Sequence, residues 1–268
     1  MKISGSNILV TGASGGIGGA IARQLAGKGA SLILVDRDAT RCESLATDLR
    51  TLGATVLVLA ADLTQPAVPG QLVADAIKHA GGIDILINCA GVQNFGFFAN
   101  EATADTSTLF NVNTIAPINL INAVLPHMLQ KNMGQIVNLG SIFGSIGFPC
   151  FASYSASKFA LRGFSEALRR ELTGTAVGVT YVAPRFTKTS FNRGVVARMA
   201  DALKMNQDAP ESVAASVIDA IERDHLDRYL GWPEKLFVRI NSILPRLVDQ
   251  SLMKQVDQMR PFATETNR

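Results

Sequence analysis

Cysteine is scarce in this chain, with three in 268 residues. Cys42, Cys89 and Cys150 stand far apart, form no CxxC pair and have no histidine at metal-ligand spacing. A zinc site and a disulfide framework are therefore not expected, and reduced thiols are. Clustered charge is missing too: the formal net charge is +3 and the pI about 8.8, yet no run of Lys and Arg stands out, so no nucleic-acid surface is expected. No apolar run approaches the roughly 20 residues of a spanning helix. The first residues, MKISGSN, lead into Ile8-Leu9-Val10 without the apolar core of a signal peptide, and the expected location is cytoplasmic. Low-complexity linkers and repeats are absent, which favours one large domain over two.

What the chain does have is a regular alternation. Six short apolar, β-branched runs, NILVTG, SLILVD, TVLVLAAD, IDILINCAG, GQIVNLGS and VGVTYVAP, are separated by helix-period stretches at about 16–28, 39–52, 68–80, 103–131, 152–173 and 210–223. Near-continuous apolarity over five or six residues suits strands buried on both faces, as a parallel sheet covered by helices requires. The expected fold is α/β: a single doubly wound, Rossmann-like parallel sheet with helices on both faces. Gly29, Gly53, Gly81 and Gly134 follow four of the helices, where glycine can take a positive φ to end them. Residues 1–231 are assigned to this cofactor-binding and catalytic unit and 232–268 to a C-terminal helical extension, in which Leu236, Phe237, Ile240, Ile243 and Leu244 recur at helical spacing.

Directly after the first run comes Thr11-Gly12-Ala13-Ser14-Gly15-Gly16-Ile17-Gly18, opening a helix. A pyrophosphate needs a tight turn, close backbone approach and a helix N-terminus with free N–H groups, and glycines permit all three. Gly12, Ser14, Gly16, Ile17 and Gly18 are the predicted phosphate-binding positions. Asp36 ends the second run 18 positions after Gly18, near the spacing of the acidic residue that accepts from the adenosine ribose hydroxyls. A carboxylate there repels a 2′-phosphate and points to NAD. Arg37 beside it is suited to pairing such a phosphate, which keeps NADP as the alternative.

On these motifs the chain resembles the short-chain dehydrogenase/reductase family over about residues 5–225. Thr11, Gly12, Gly16 and Gly18 match its TGxxxGxG pattern, and Asn88-Cys89-Ala90-Gly91 resembles its Asn-Asn-Ala-Gly element with Cys in second place. Tyr154-Ser155-Ala156-Ser157-Lys158 looks like its Tyr-x-x-x-Lys, with Ser141 13 residues before the tyrosine. Residues four apart share one helix face, so the phenol and the ammonium can enter one cleft. The resemblance implies that Tyr154 exchanges a proton with the substrate oxygen, that Ser141 hydrogen-bonds the same oxygen, and that Lys158 holds the nicotinamide ribose. Lys158 and a positive nicotinamide are also expected to lower the Tyr154 pKa. It further implies that Asn113 orients a water linking Lys158 to solvent, with Asn111 as the competing residue. Asp62 and Leu63 would approach the adenine, Asn88, Ala90 and Gly91 would line the cleft, and Pro184, Thr187 and Thr189 would reach the nicotinamide end. Val182-Ala183-Pro184-Arg185 departs from the family's Pro-Gly, with Arg185 in place of glycine, and a Cβ there is expected to disturb the loop.

The implied activity is hydride transfer between a nicotinamide cofactor, NAD favoured, and a carbonyl or secondary alcohol. The stretches expected to border the cleft, 93–98, 143–151 and about 190–205, are rich in Phe and Met, which suits a lipophilic substrate that is fatty, steroid-like or retinoid-like. The rival reading is a catalytically inactive nicotinamide-binding regulatory or scaffold protein. The full set of Tyr154, Lys158, Ser141 and Asn113 argues against it, since a pure binder needs no proton relay. No metal is expected. The family implies a homodimer or homotetramer through helices 103–131 and 152–173, and the tail is expected to pack over the substrate entrance or a subunit interface, with peripheral membrane contact as the alternative.

Overall fold

Each apolar run becomes a strand in the computed structural model, which describes residues 1–265. In chain order the elements are β1 (Asn7–Thr11), α1 (Gly16–Gly27), β2 (Ser31–Asp36), α2 (Ala39–Thr51), β3 (Val56–Ala60), α3 (Val68–Ala80), β4 (Ile85–Asn88), α4 (Thr103–Phe110), a π-helical turn (Asn111–Ile115), α5 (Ala116–Lys131), β5 (Gly134–Leu139), α6 (Ala152–Glu171), β6 (Val177–Ala183), α7 (Val195–Ala202), α8 (Pro210–Glu222), β7 (Asp227–Tyr229), α9 (Glu234–Ile243) and α10 (Pro245–Glu265). The seven strands form one parallel sheet in the order β3-β2-β1-β4-β5-β6-β7.

Side-chain alternation divides the core into two layers. Ile8, Val10, Leu32, Leu34, Ile85 and Ile87 pack with α1, α2 and α8 on one face. Leu9, Ile33, Val35, Leu86 and Ile136 pack with α3, α5 and α6 on the other. Because β1 pairs with both β2 and β4, the order reverses there, and a crevice opens at the carboxyl ends of these two strands.

Several expectations need correction. Gly29, Gly53 and Gly81 do take positive φ, but Gly134 does not; Asn132, at φ 46, ends α5 instead. Gly134 is small for another reason, because a Cβ there would lie 2.6 Å from the Met128 side chain. Residues 103–131 do form one helical stretch, but a π turn interrupts it. Contrary to the sequence expectation, Thr103–Lys131 is long and apolar enough by composition to cross a membrane; here α5 lays Leu120, Ile121, Val124 and Met128 against the sheet. The tail is two helices rather than one. Leu244 precedes Pro245, which disfavours helical backbone at Leu244, and its φ of −129 and ψ of 60 mark the break. The final three positions of the assigned extension, 266–268, lie outside the described residues.

Candidate active site

The crevice is a cavity of about 970 Å³ that runs from the glycine turn to the C-terminal helices. Its phosphate end rests on sterics. A Cβ at Gly18 would lie 2.2 Å from the Gly12 carbonyl oxygen, and one at Gly12 would meet the Ala90 Cα at 2.8 Å. Gly12 also has φ 66, a conformation that side chains resist. Thr11 ties the turn to β4: its hydroxyl accepts from the Cys89 and Ala90 N–H groups at 3.0 and 3.1 Å. The Gly12, Ser14, Gly16, Ile17 and Gly18 positions all line the cavity.

At the end expected to receive the adenosine, Asp36 accepts from the Ser14 N–H at 2.9 Å and from the Asp38 N–H at 3.1 Å. The carboxylate is thereby held against the glycine turn and faces the cavity together with Arg37 and Arg41. Asp62 and Leu63 line the same cavity. Hydrogen bonds from the Thr64 N–H and hydroxyl hold the Asp62 carboxyl below its usual range, with Arg37 contributing. Ala90 and Gly91 line the cleft, whereas the Asn88 side chain does not reach it. The Asn88 amide instead donates to Asn138 on β5 at 2.9 Å, and Asn138 donates to Ser165. Its type is explained by this buried chain between strand and helix.

The end expected to receive the nicotinamide gathers Ser141, Tyr154 and Lys158, which all line the same cavity. Ser141 leaves the end of β5 and caps a 3₁₀ turn at Ile142–Gly144 by accepting from the Phe143 N–H. Tyr154 and Lys158 project from the first turns of α6, with the Lys158 Nζ 5.9 Å from the Tyr154 ring centroid. Phe143, Phe151 and Phe191 surround the Tyr154 ring, each at 6.3 Å between centroids. That apolar cage pushes the phenol up to about 12, against the pull of a hydrogen bond with Ser141. The expectation that Lys158 lowers the Tyr154 pKa is thus not met by the protein alone; burial dominates, and a positive nicotinamide ring arrives only with the cofactor. Burial also brings the Lys158 ammonium down to about 8, and its Nζ donates to the Leu139 carbonyl at 3.0 Å.

Asn113 sits behind this group in the π turn. Its side chain accepts from the Val92 N–H and donates to the Val92 carbonyl and the Ser157 hydroxyl, and its Oδ1 lies 3.3 Å from where a Gly91 Cβ would be. The side chain is committed to holding the Gly91-Val92 loop after β4 against α6. Pro117, four residues on, lacks the N–H that a regular helix would offer the Asn113 carbonyl. Any proton relay at Asn113 therefore rests on its backbone oxygen.

Arg185 does not disturb its loop. Its φ is not positive, so the position does not demand glycine. Its guanidinium makes two hydrogen bonds to Asp208, at 3.0 and 2.7 Å, and a third to Glu234 at 3.0 Å. Pro184, Thr187 and Thr189 line the cavity beside it, and Thr187 pairs with Asp208 in an isolated bridge.

Two features escaped the sequence reading. Tyr181 lies fully buried beneath Ser141, its hydroxyl donating to the Ser141 carbonyl at 3.3 Å; Gly140 and Gly144 leave the space its ring fills. A large residue in β6 facing two glycines around the serine was the available signal. The second is which part of the tail reaches the cavity: the tail was expected over the substrate entrance or a subunit interface through the stripe from Leu236 to Leu244, whereas Val248, Ser251, Leu252, Gln255 and Gln258 of α10 complete the cavity wall. Among the described residues no cluster of metal-ligating side chains occurs, and the three thiols are unpaired.

A family model described as short chain dehydrogenase matches residues 6–200. The ketoacyl reductase HetN of Nostoc sp. is 31% identical over 254 residues, spanning 92% of this chain and 88% of that protein. The nodulation protein G of Rhizobium sp. is 35% identical over 216 residues, spanning 81% and 83%. Among solved structures, a short chain dehydrogenase/reductase from Burkholderia phymatum in complex with NAD superposes with TM-score 0.86 at 25% identity, covering 92% of this chain and 96% of that one. A short-chain dehydrogenase from Sphingobium yanoikuyae in complex with NADPH gives TM-score 0.78 at 30% identity, covering 93% and 95%.

Proposed function

We propose, from the premise that this chain belongs to the short chain dehydrogenase family of nicotinamide-dependent oxidoreductases, that it interconverts a lipophilic carbonyl compound and its secondary alcohol. The observation that carries the reading is the convergence of Tyr154, Ser141 and Lys158 in the cavity that also holds the glycine turn. The residues fit a dinucleotide: the turn is packed so tightly that side chains are excluded at Gly12 and Gly18, and the Ser14 N–H fixes the Asp36 carboxylate at the end of β2, where a ribose-binding acid is expected. When bound, the cofactor supplies or accepts the hydride. The protein's part is the proton and the charge.

Tyr154 holds its proton at neutral pH and can donate it to a carbonyl oxygen during reduction. Ser141 steadies the developing charge on that oxygen, and Lys158 binds the nicotinamide ribose and helps recharge Tyr154. Asp36 supports NAD over NADP, because its carboxylate opposes a 2′-phosphate more directly than the exposed Arg37 attracts one. The substrate end supports an apolar ligand: Phe143, Phe148, Phe191, Val248 and Leu252 all line the cavity. A homo-oligomer is supported by Ile115, Leu129 and Phe159, apolar side chains left exposed on the helices of residues 103–131 and 152–173.

The test is a panel of lipophilic ketones and secondary alcohols followed by cofactor absorbance, with NAD and NADP in parallel. Tyr154→Phe is expected to keep cofactor binding and lose at least about a hundredfold in turnover. Cofactor binding with no turnover on any substrate, and no difference between wild type and Tyr154→Phe, would establish the non-catalytic alternative.

A further inference from the structure

Most of the apolar stripe of the tail is uncovered, Ile240 alone packing partly on the core. Leu236, Phe237, Ile243 and Leu244, which helical spacing places on one stripe, are all exposed, and only Val238 of α9 is buried. Trp232 is 71% exposed, Ile243 76%, Leu247 56% and Met253 69%. Of the 15 exposed large hydrophobic side chains in the described chain, seven fall between Trp232 and Met253. Scattered single exposures are ordinary, but a concentration of this kind marks a surface that meets something.

The charges around it say what. Lys235, Arg239, Arg246 and Lys254 are exposed and have no ion-pair partner among the described residues. Of the nearby acids, Glu234 is engaged by Arg185 and Asp257 by Arg260, which leaves Asp249. Apolar side chains among unpaired cations, with a tryptophan at the margin, match the chemistry of an anionic bilayer surface. A second copy of the chain fits poorly, because a two-fold contact would set the same four cations against themselves.

The position of the corner gives it a purpose. The inner faces of α9 and α10 form cavity wall through Phe237, Val248 and Leu252, and Phe237 is at once cavity lining and exposed. We propose that the outer face of α9 and the first half of α10 docks this protein on anionic phospholipid, so that the mouth of the cavity opens at the membrane surface and lipophilic substrate passes directly between bilayer and active site. The purpose rests on the lipophilic-substrate reading; the docking does not, and is measured without substrate.

The experiment is sedimentation of the full-length protein with vesicles of phosphatidylcholine, with and without phosphatidylglycerol. Wild type is expected to pellet with the anionic vesicles, less so as salt rises. Arg239→Gln with Arg246→Gln should weaken partitioning by about fivefold for each cation removed. Ile243→Asp with Leu247→Asp should abolish it, and both double variants should keep wild-type turnover on a water-soluble ketone, since none of the four residues lines the cavity. Wild type that stays in the supernatant with both vesicle types overturns the proposal. So does a wild-type oligomer that Ile243→Asp with Leu247→Asp splits while vesicle binding is absent, which would assign the face to a second copy.

Discussion

Arg185→Ala should loosen the substrate half of the molecule while sparing the fold. The Arg185 guanidinium joins three segments: its own loop after β6, Asp208 before α8, and Glu234 at the start of α9. Exposed ion pairs contribute ~0–1 kcal/mol, whereas removing one partner of a fully buried pair costs ~3–5 kcal/mol. Here all three side chains are 19–21% exposed, and the loss would leave two carboxylates near each other without a cation. An intermediate cost of ~2 kcal/mol follows, equivalent to a fall in Tm of about 4–8 °C for a chain of this size. The functional effect should be selective. Asp208 also holds Thr187 and Lys188 through backbone contacts, and Glu234 begins the helix that carries Phe237 into the cavity. Substrate KM is therefore expected to rise several-fold, with a smaller change in cofactor affinity, because the glycine turn and Asp36 lie elsewhere. Differential scanning calorimetry and steady-state kinetics read both quantities, with Arg185→Lys, which keeps the charge but not the two-pronged geometry, expected in between. A variant that melts within about 1 °C of wild type with an unchanged KM would show that the three segments are held without this arginine.

Ser141→Ala removes the hydrogen bond that opposes burial of the Tyr154 phenol. The folded pKa then rises further, so the alkaline rise of alcohol oxidation should move to higher pH, and a pH–rate profile identical to wild type would contradict the contact. Asp36→Ala should weaken NAD by at least about tenfold and narrow or invert the preference over NADP, since the same carboxylate also anchors Ser14; fluorescence titration of both cofactors checks it. Gly18→Ala should abolish dinucleotide binding, because its Cβ would lie 2.2 Å from a backbone oxygen that has no freedom to retreat, and binding within about twofold of wild type would mean that the turn is softer than its packing implies.

The sheet and the cofactor end could be read from sequence because they depend on short-range rules. Continuous apolar runs have one use in a parallel sheet, and a glycine turn between strand and helix has few other roles. Where a contact is distant in sequence the reading fails. The strand β7, Asp227-Arg228-Tyr229, is three residues long and polar, and only its place at the sheet edge beside β6 makes it a strand. Asn88 carries the family pattern, yet its side chain answers to Asn138, fifty residues away. Asn132 takes the role expected of Gly134 because asparagine also tolerates left-handed backbone, while the Met128 side chain decides what fits at Gly134.

Tyr154 shows the same division inside the active site. Its identity and its spacing from Lys158 are local facts, but its protonation depends on Phe143, Phe151 and Phe191, of which Phe151 is its own helix's cap while Phe143 and Phe191 come from other segments. The Phe191 segment is itself tied to the loop after β4 by Gln93, whose amide donates to the Phe191 carbonyl and to Asn192. The apolar wall proposed to receive substrate and the burial that keeps the phenol protonated are therefore one structure. A change that opens the wall to water at Phe191 would lower the Tyr154 pKa along with substrate affinity, so specificity and acid strength in this site cannot be adjusted independently.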